Sequence, residues 1–206
     1  MVKPVRGRGS EGVTRVSSIA ELVPAIQALL GATVSTTDGV VPRYGSRVIV
    51  EAYLPGVETT VTVMPPGRYG VSGQFLLQSR CWCLPPVRRF NHMDGIAPYN
   101  GVVAVTRNSR VLAPEEVVAE RLSRLLEDCA AAGDLVGIRA PIRIDCRRGR
   151  DGVDYLIDVN MKPNLTGPGR PGCDDQDGLS TLAARGIGWT YADLLVNMLR
   201  QSWPFS

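Results

Sequence analysis

The chain has 206 residues, of which 44% are hydrophobic and 21% charged, a balance typical of a globular protein that buries a sizeable core. Lys and Arg number 23 against 20 Asp and Glu, so the net charge of +3 is too small to indicate a nucleic-acid-binding protein. Five cysteines without a C-x-x-C pair, together with one histidine, argue against a zinc site, a disulfide framework and a histidine-dependent nucleophile. The sequence contains neither an apolar run of membrane-spanning length nor a secretory signal, so we expect a cytoplasmic protein without a membrane partner.

A glycine-rich turn lies between two strand-like patterns at the start of the chain. Residues 2–4 predict the end of one strand, and the β-branched residues of 13–16 predict a second. The turn has the spacing G-x-G-x-x-G from Gly7 to Gly12, but a strand rather than a helix is expected after it, unlike the dinucleotide fingerprint. Glycine backbone can still approach phosphate oxygens, with Lys3 as a nearby point charge. The alternative is a glycine-rich surface hairpin with a solvated lysine.

The next segments predict a helix and two strands. Ser17 and Ser18 cap a helical pattern that Gly31 ends. Residues 47–53 and 58–64 then read as strands around a Pro-Gly turn, and we expect them to pair with each other. Glu51 and Glu58 are suited to accept hydrogen bonds from an adenine amino group and from ribose hydroxyls. The alternative is a pair of solvated glutamates.

The middle of the chain carries little functional signal. Short strands are predicted within 74–83 and at 101–106, on either side of a turn-rich surface loop at 84–100. A packing helix is predicted to start at Pro114 and to end at Gly133. A final amphipathic helix carries Tyr191 and Leu194 on its apolar face.

A hairpin near the C-terminus combines two carboxylates with an amide. Strands are predicted at 138–146 and 155–160, joined by a turn with Asp-Gly. Because strand side chains alternate between faces, Arg143 and Asp145 share one face, and Asp158 and Asn160 share one face of the other strand. Two carboxylates and an amide oxygen are ligands suited to magnesium. The alternative is a polar sheet face exposed to water.

In chain order, the segments 2–13, 50–58, 143–145 and 158–163 resemble those of the ATP-grasp ligases, in particular the D-alanine:D-alanine ligase kind. The resemblance covers most of the chain except 67–112. It implies an α+β fold with antiparallel sheets, in one ATP-grasp domain over 1–206. The subdomain with the phosphate loop is expected at about 1–55, and the subdomain with the metal site at about 56–206.

The same resemblance implies ATP and Mg²⁺ as cofactors, with Mn²⁺ as the alternative ion, and small carboxylate and amine substrates joined through an acyl phosphate. The residues it implies are Lys3, Gly9, Ser10 and Gly12 for phosphates, Glu51 and Leu54 for adenine, Glu58 for ribose, Asp145, Asp158 and Asn160 for the metal, and Arg143 for the oxyanion of the tetrahedral intermediate.

Two departures from the family pattern qualify these expectations. Asp158 stands where the family has a glutamate, which shortens the reach to a metal by one methylene. The match begins at the strand of Lys3, so we expect an N-terminally incomplete ATP-grasp protein: a partial gene product, one piece of a larger assembly, or a module that has lost catalysis. Its expected partner is a missing N-terminal domain or a second copy in a homo-oligomer. Ligase turnover by the chain alone is then not expected. A nucleotide-binding module without catalysis is the alternative, and an RNA-binding protein using Arg147, Arg148 and Arg150 is a third possibility.

Overall fold

The computed structural model describes residues 1–7, 10–71, 73–92, 95–96, 105–169 and 176–202, with the side chain of Ser202 excepted. The chain divides into two compact units. Unit 1 comprises Met1–Pro55 and Asn91–Val103, and unit 2 comprises Gly56–Phe90 and Ala104–Ser206. Among the helices in these described ranges, none has the length and apolar character that crossing a membrane requires.

Unit 1 contains one long helix and two pairs of short strands. Its elements are β1 (Val2–Pro4), α1 (Ile19–Gly31), β2 (Thr33–Thr36), β3 (Gly39–Pro42) and β4 (Val48–Val50). The helix begins as predicted, because Ser18 is the N-cap and its Oγ accepts a hydrogen bond from the Glu21 N–H. Strands β1 and β4 are antiparallel neighbours, and β2 and β3 form a hairpin.

Unit 2 is built on one large antiparallel sheet. Its elements are β5 (Glu58–Met64), β6 (Gly67–Val71), β7 (Gln74–Gln78), β8 (Trp82–Cys83), β9 (Val87–Arg89), α2 (Val105–Asn108), β10 (Ser109–Val111), α3 (Pro114–Ala119), α4 (Ser123–Val136), β11 (Ile142–Arg148), β12 (Asp154–Asn160), α5 (Leu179–Arg185) and α6 (Tyr191–Ser202). The strand order is β10-β9-β5-β11-β12, with β8 also paired to β5, while β6 and β7 form a separate hairpin.

The hydrophobic core of unit 2 lies between this sheet and helix α4. Strands β5 and β11 are the central neighbours, so the side chains of alternate residues on each strand point to the same face. On one face these side chains are apolar and pack against residues of the helix and the turn before it. The cluster includes Val61, Val63, Ile142, Ile144, Cys146, Leu122, Leu125 and Cys129. The opposite face of β5 carries Glu58, Thr60 and Thr62, which are also buried.

The α+β class with antiparallel sheets is confirmed, but several predicted elements are wrong in detail. Residues 13–16 form no strand, because Thr14 makes only a single bridge to Val2. Strand β4 pairs with β1, and β5 pairs with β11, β9 and β8, so the predicted hairpin between 47–53 and 58–64 does not form. The predicted surface loop at 84–100 contains the buried strand β9.

Other predictions in this region extend beyond the part of the chain that the structure describes. Residues 93–94 and 97–100 of the predicted loop, and 101–104 of the predicted strand at 101–106, lie outside it. The remainder of that predicted strand belongs to helix α2 rather than to a strand. The division at about residue 55, read as two functional subdomains, stays a prediction.

The predicted helix from Pro114 to Gly133 is in fact two helices. Arg121, with φ of 56°, lies in the left-handed region between them and interrupts the helical backbone. Helix α4 continues past Gly133 and ends at Val136, and its C-cap Gly137 has a left-handed backbone conformation with φ of 63°. Gly133 is therefore not a helix end. Its Cα faces the sheet, and a Cβ there would lie 2.9 Å from Cγ1 of Val63.

We expect Gly133→Ala to destabilise unit 2, although alanine is the better helix former by about 1 kcal/mol. Val63 is fully buried and cannot retreat, so the overpacking penalty of about 1–3 kcal/mol should exceed that gain. The measurement is the free energy of unfolding from urea denaturation. In the double variant Val63→Ala/Gly133→Ala the added methyl partly fills the space left by Val63, so its loss should be smaller than the sum of the two single losses. An additive result would show that the two positions do not share this space.

Candidate functional site

The polar face of the β5–β11–β12 segment brings the predicted metal ligands together. In the strand register, Asp145 lies opposite Thr60 on β5 and opposite Asp158 on β12. Arg143 lies opposite Asn160 on β12. A β-bulge follows Asp145, where the pairing with β12 shifts by one residue. The sheet therefore places Arg143, Asp145, Asp158 and Asn160 on one face, as the alternation of the sequence predicted.

Asp145 is the centre of this cluster. Its side chain is buried and accepts four hydrogen bonds. Oδ1 accepts from Thr60 Oγ1 at 2.8 Å and from Arg143 Nε at 3.1 Å, and Oδ2 accepts from Arg143 Nη2 and from Asn160 Nδ2, each at 3.1 Å. The two bonds from Arg143 form a fork-like ion pair. The buried carboxylate is thus compensated both in charge and in hydrogen bonds.

Asn160 bridges the two carboxylates. Its Nδ2 donates to Oδ2 of Asp145 and to Oδ2 of Asp158, each at 3.1 Å. A positively polarised group therefore already lies between two acidic side chains, one buried and one exposed. Within the described residues, no group of three or more His, Cys, Asp or Glu side chains is placed so that it could hold a metal ion by itself. A cation at this position would rest on two carboxylates and one amide oxygen, a donor set that suits Mg²⁺ when phosphates or water complete its shell.

Glu58, the predicted ribose ligand, lies further along the same face of β5. It is buried, its register partners on the two neighbouring strands are Arg147 and Arg89, and its Oε2 is 3.8 Å from Nη1 of Arg147. Nε of Arg147 also donates to the carbonyl oxygen of Gly56 at 3.2 Å. Because its side chain is buried, Glu58 is not the solvated residue of the alternative interpretation.

The thiol next to the cluster belongs to the other face of the sheet. Sγ of Cys146 lies 3.7 Å from Sγ of Cys129, inside the hydrophobic core. This hydrogen bond and burial raise the pKa of the Cys146 thiol well above its usual range. A neutral, buried thiol is a poor nucleophile, so the polar face has no thiolate partner in Cys146.

Unit 1 holds the residues predicted to bind the phosphates and the base. Nζ of Lys3 on β1 forms an ion pair with Oε1 of Glu51 at 2.8 Å. This contact follows from the pairing of β1 with β4, because Glu51 directly follows β4. The Lys3 ammonium therefore lies beside the carboxylate predicted to contact adenine, and Leu54 is half-buried in the segment that follows.

The predicted phosphate loop is described in part. Ser10 and Gly12 have positive φ angles of 59° and 75°, and the Val13 N–H donates to the Ser10 carbonyl at 3.2 Å. A Cβ on Gly12 would lie 3.0 Å from Cδ2 of Leu29, so both the positive φ and the close contact favour glycine there. Gly9, the remaining predicted phosphate ligand of this loop, lies outside the described residues.

Sequence reasoning missed Thr60 and Arg147 as members of the site. Thr60 is two residues after Glu58 on a strand that was predicted correctly, so alternation alone puts both on one face. The sequence did not reveal that this strand, β5, pairs with β11, which places Thr60 opposite Asp145. Arg147 was noted only as part of a basic cluster, although strand alternation places it on the face of Arg143 and Asp145.

Comparison of the sequence with known proteins finds relatives among the D-alanine–D-alanine ligases. No protein-family model matches the chain. The D-alanine–D-alanine ligase of Mannheimia succiniciproducens is 27% identical over 202 residues, 98% of this chain and 53% of the ligase. The ligase of that name from Actinobacillus pleuropneumoniae serotype 5b is 30% identical over 165 residues, 80% of this chain and 45% of the ligase.

Solved structures give the same result for the fold. The VanG D-Ala:D-Ser ligase of Enterococcus faecalis superposes with a TM-score of 0.64 at 18% identity, covering 98% of this chain and 49% of that one. The Bacillus anthracis D-alanine–D-alanine ligase, solved in complex with ATP, gives 0.57 at 20% identity, with the same two coverages. The chain thus spans about half the length of the curated relatives it matches. The chain has the fold of these ligases, an ATP-grasp fold, and its sequence is similar to about half of a D-alanine–D-alanine ligase.

Proposed function

We propose that the chain binds magnesium and ATP and supplies the nucleotide-binding part of a ligase that joins a carboxylate to an amine through an acyl phosphate. The observation that carries this proposal is the hydrogen-bonded cluster of Asp145, Asn160 and Asp158 on one face of a rigid sheet. Their placement on strands rather than on loops supports the proposal, because strands position ligands more precisely than loops do.

The cluster accommodates a cation with little rearrangement. Turning the Asn160 amide by half a turn about its last bond replaces the bridging nitrogen by the oxygen, which then faces the same two carboxylates. Asp145 is already fixed by Arg143 and Thr60, so its position does not depend on the ion. A magnesium ion bound there would neutralise charge on the phosphates of ATP.

Arg143 is the residue of this site best suited to stabilise an acyl oxygen. Its guanidinium is nearly buried and is oriented by the two bonds to Asp145. A fixed cation with low exposure to water stabilises developing negative charge without reorganising during the reaction. In this proposal Arg143 binds the oxygen on which charge accumulates when the amine attacks the acyl phosphate.

The nucleotide contacts proposed for the rest of the chain rest on the geometry of each unit separately. In unit 1, Lys3 binds phosphate, Glu51 and the backbone at Leu54 bind adenine, and the turn at Ser10 and Gly12 presents backbone N–H groups to phosphate. In unit 2, Glu58 accepts hydrogen bonds from the ribose hydroxyls, and the guanidinium of Arg147 lies beside its carboxylate.

One observation favours a second function, a nucleotide-binding module without ligase chemistry. Each side-chain oxygen of Asp145 already accepts two hydrogen bonds. The hydrogen-bonding capacity of this carboxylate is therefore satisfied by protein groups alone. A satisfied polar network stabilises a fold whether or not it binds a metal. The two functions differ in whether turnover follows binding.

The first expected result is magnesium-dependent ATP binding that needs Asp158. Asp158 is exposed, so Asp158→Asn should leave the fold intact while weakening ATP affinity at least tenfold, about 1.4 kcal/mol, in the presence of Mg²⁺. Isothermal titration calorimetry with and without Mg²⁺ measures it. The control is Asp151→Asn, which removes an exposed carboxylate from the turn of the same hairpin. Equal affinities with and without metal, or equal losses in both variants, would contradict the assignment of the cluster as a metal site.

The second expected result distinguishes the ribose from the phosphates. Glu58→Gln keeps the size of the buried side chain and removes its charge, and it should weaken ATP but not inorganic triphosphate, which has no ribose. Competition of each ligand against a fluorescent ATP analogue provides the two affinities. An equal loss of affinity for both ligands would show that Glu58 acts on phosphate binding or on the folding of unit 2 instead of on ribose.

The third expected result decides between the two functions. The chain alone should give no amide products. When the substrate-binding domain of a D-alanine–D-alanine ligase is supplied separately, ADP release with Mg²⁺ and ATP should rise on addition of a panel of amino acids and small carboxylates, and amide products should appear by mass spectrometry. Arg143→Lys should lower that product formation more than it weakens ATP binding, since a single ammonium cannot keep the fork-like contact with Asp145. ATP binding without substrate-dependent ADP release would favour the module without catalysis.

A further inference from the structure

The β6–β7 hairpin of unit 2 has one covered edge and one open edge. Three side chains of helix α6 bond to the outer edge of β6. Asn197 Oδ1 accepts from the Gly70 N–H at 2.8 Å, and Arg200 Nη1 donates to the Gly70 carbonyl at 3.0 Å. Gln201 accepts from the Arg68 N–H and donates to the Arg68 carbonyl. Among the residues that the structure describes, β7 pairs with β6 alone.

These contacts fix which residues of β7 face the open edge. In an antiparallel pair, a residue either bonds to the residue opposite it or directs both backbone groups away. Arg68 and Gly70 direct theirs to α6, so the residues opposite them, Leu77 and Phe75, direct theirs to the open edge of β7. Each of these two residues presents one N–H donor and one carbonyl acceptor.

The open edge is apolar and without charge. Residues 74–78 read Gln-Phe-Leu-Leu-Gln, and the three central side chains are exposed, with Leu77 at 74% and Leu76 at 63%. A strand edge with exposed apolar residues and with no charge or proline is a template for pairing with another strand, and proteins that remain monomeric usually protect such edges. Helix α6 protects the edge of β6, whereas no strand among the described residues pairs with the outer edge of β7.

The segment is complementary to itself in an antiparallel register. In a twofold arrangement, residue i of one copy faces residue j of the other and j faces i. Centring the axis on Leu76 puts Gln74 opposite Gln78 and Phe75 opposite Leu77, so apolar meets apolar and amide meets amide. Phe75 and Leu77 are also the residues with outward backbone groups, so this register forms two hydrogen-bonded pairs with four N–H···O bonds in all. No like charges come to lie opposite each other.

We propose that β7 pairs with β7 of a second copy of this chain, which makes the two hairpins one continuous four-stranded sheet with its twofold axis at Leu76. The two Leu76 side chains meet at the non-bonded pair on the axis, where opposing side chains lie closest. Beside Leu76 a groove of about 360 Å³ is lined by Tyr69, Trp82 and Trp189, and the two copies would join their grooves across the axis.

Other charges do not oppose this arrangement. The guanidinium groups of Arg68 and Arg200 lie 4.3 and 4.8 Å from the centre of the Phe75 ring. They stack on the aromatic face and belong to β6 and α6, which are further from the axis than β7. Arg68 is one strand, about 4.8 Å, behind the edge that pairs.

The first test is the mass of the full chain in solution by sedimentation equilibrium, from about 1 to 100 µM. The wild type should reach the dimer mass within that range. Leu76→Lys puts two ammonium groups opposite each other, and Leu77→Pro removes an outward N–H without losing a bond to β6. Either change should raise the dimer dissociation constant at least about tenfold. Leu135→Lys, at an 88% exposed leucine of helix α4, is the matched control and should dimerise as the wild type does.

A second test checks the register. Under oxidised glutathione, Leu76→Cys should give a covalent dimer on a non-reducing gel, because the two sulfurs meet on the axis, whereas the parent chain and Leu135→Cys should not. A wild-type chain that stays monomeric to the highest concentration would overturn the proposal and leave the edge to a strand of a different protein. A dimer that persists in both Leu76→Lys and Leu77→Pro, or that Leu76→Cys fails to cross-link, would place the contact on another surface and overturn it equally.

Discussion

The antiparallel pairing of β5 with β11 is the interaction on which the rest of unit 2 depends. The pairing runs from Val63 opposite Ile142 to Glu58 opposite Arg147. It places alternate residues of both strands on an apolar face and on a polar face. On one face Val61, Val63 and Ile144 close the core against α4. On the other face the same register brings Thr60 to Asp145. Because a slip of one residue would exchange the faces, core and site are specified together.

This coupling explains how a charged group is kept in the interior at tolerable cost. A buried carboxylate without partners would be strongly destabilising, and Asp145 avoids this through a guanidinium, a hydroxyl and an amide that come from three different strands. Arg143 and Asp145 are two residues apart on one strand, so their contact requires no long-range folding event. Thr60 and Asn160 reach Asp145 only after β5 and β12 have paired with β11, which makes the completed site a consequence of the completed sheet.

Local patterns predicted the parts of the structure that depend on neighbouring residues. Ser18 as N-cap, the hairpin with its Asp-Gly turn and the shared face of Asp145 and Asp158 all follow from periods of 2 or 3.6 and from turn chemistry. The strand partners did not follow, because sequence proximity favoured pairing 47–53 with 58–64, whereas β5 pairs with a strand about 80 residues further along the chain. Thr60 was overlooked for that reason. Gly133 was wrongly predicted to end the helix, because residue type alone does not distinguish a glycine that allows close packing against a strand from a glycine that ends a helix.

The bulge after Asp145 has a further consequence for how this hairpin tolerates change. The register of β11 with β5 continues without interruption through Cys146 and Arg147, while its register with β12 shifts at that point. The part of the hairpin that carries Asp145 is therefore fixed by its regular pairing with β5. The β-bulge lies between this part and the turn around Gly152. Length changes or inserted tags at that turn can be absorbed at the bulge, so the tip of the β11–β12 hairpin is a site where the chain accepts insertions without moving Asp145 relative to β5.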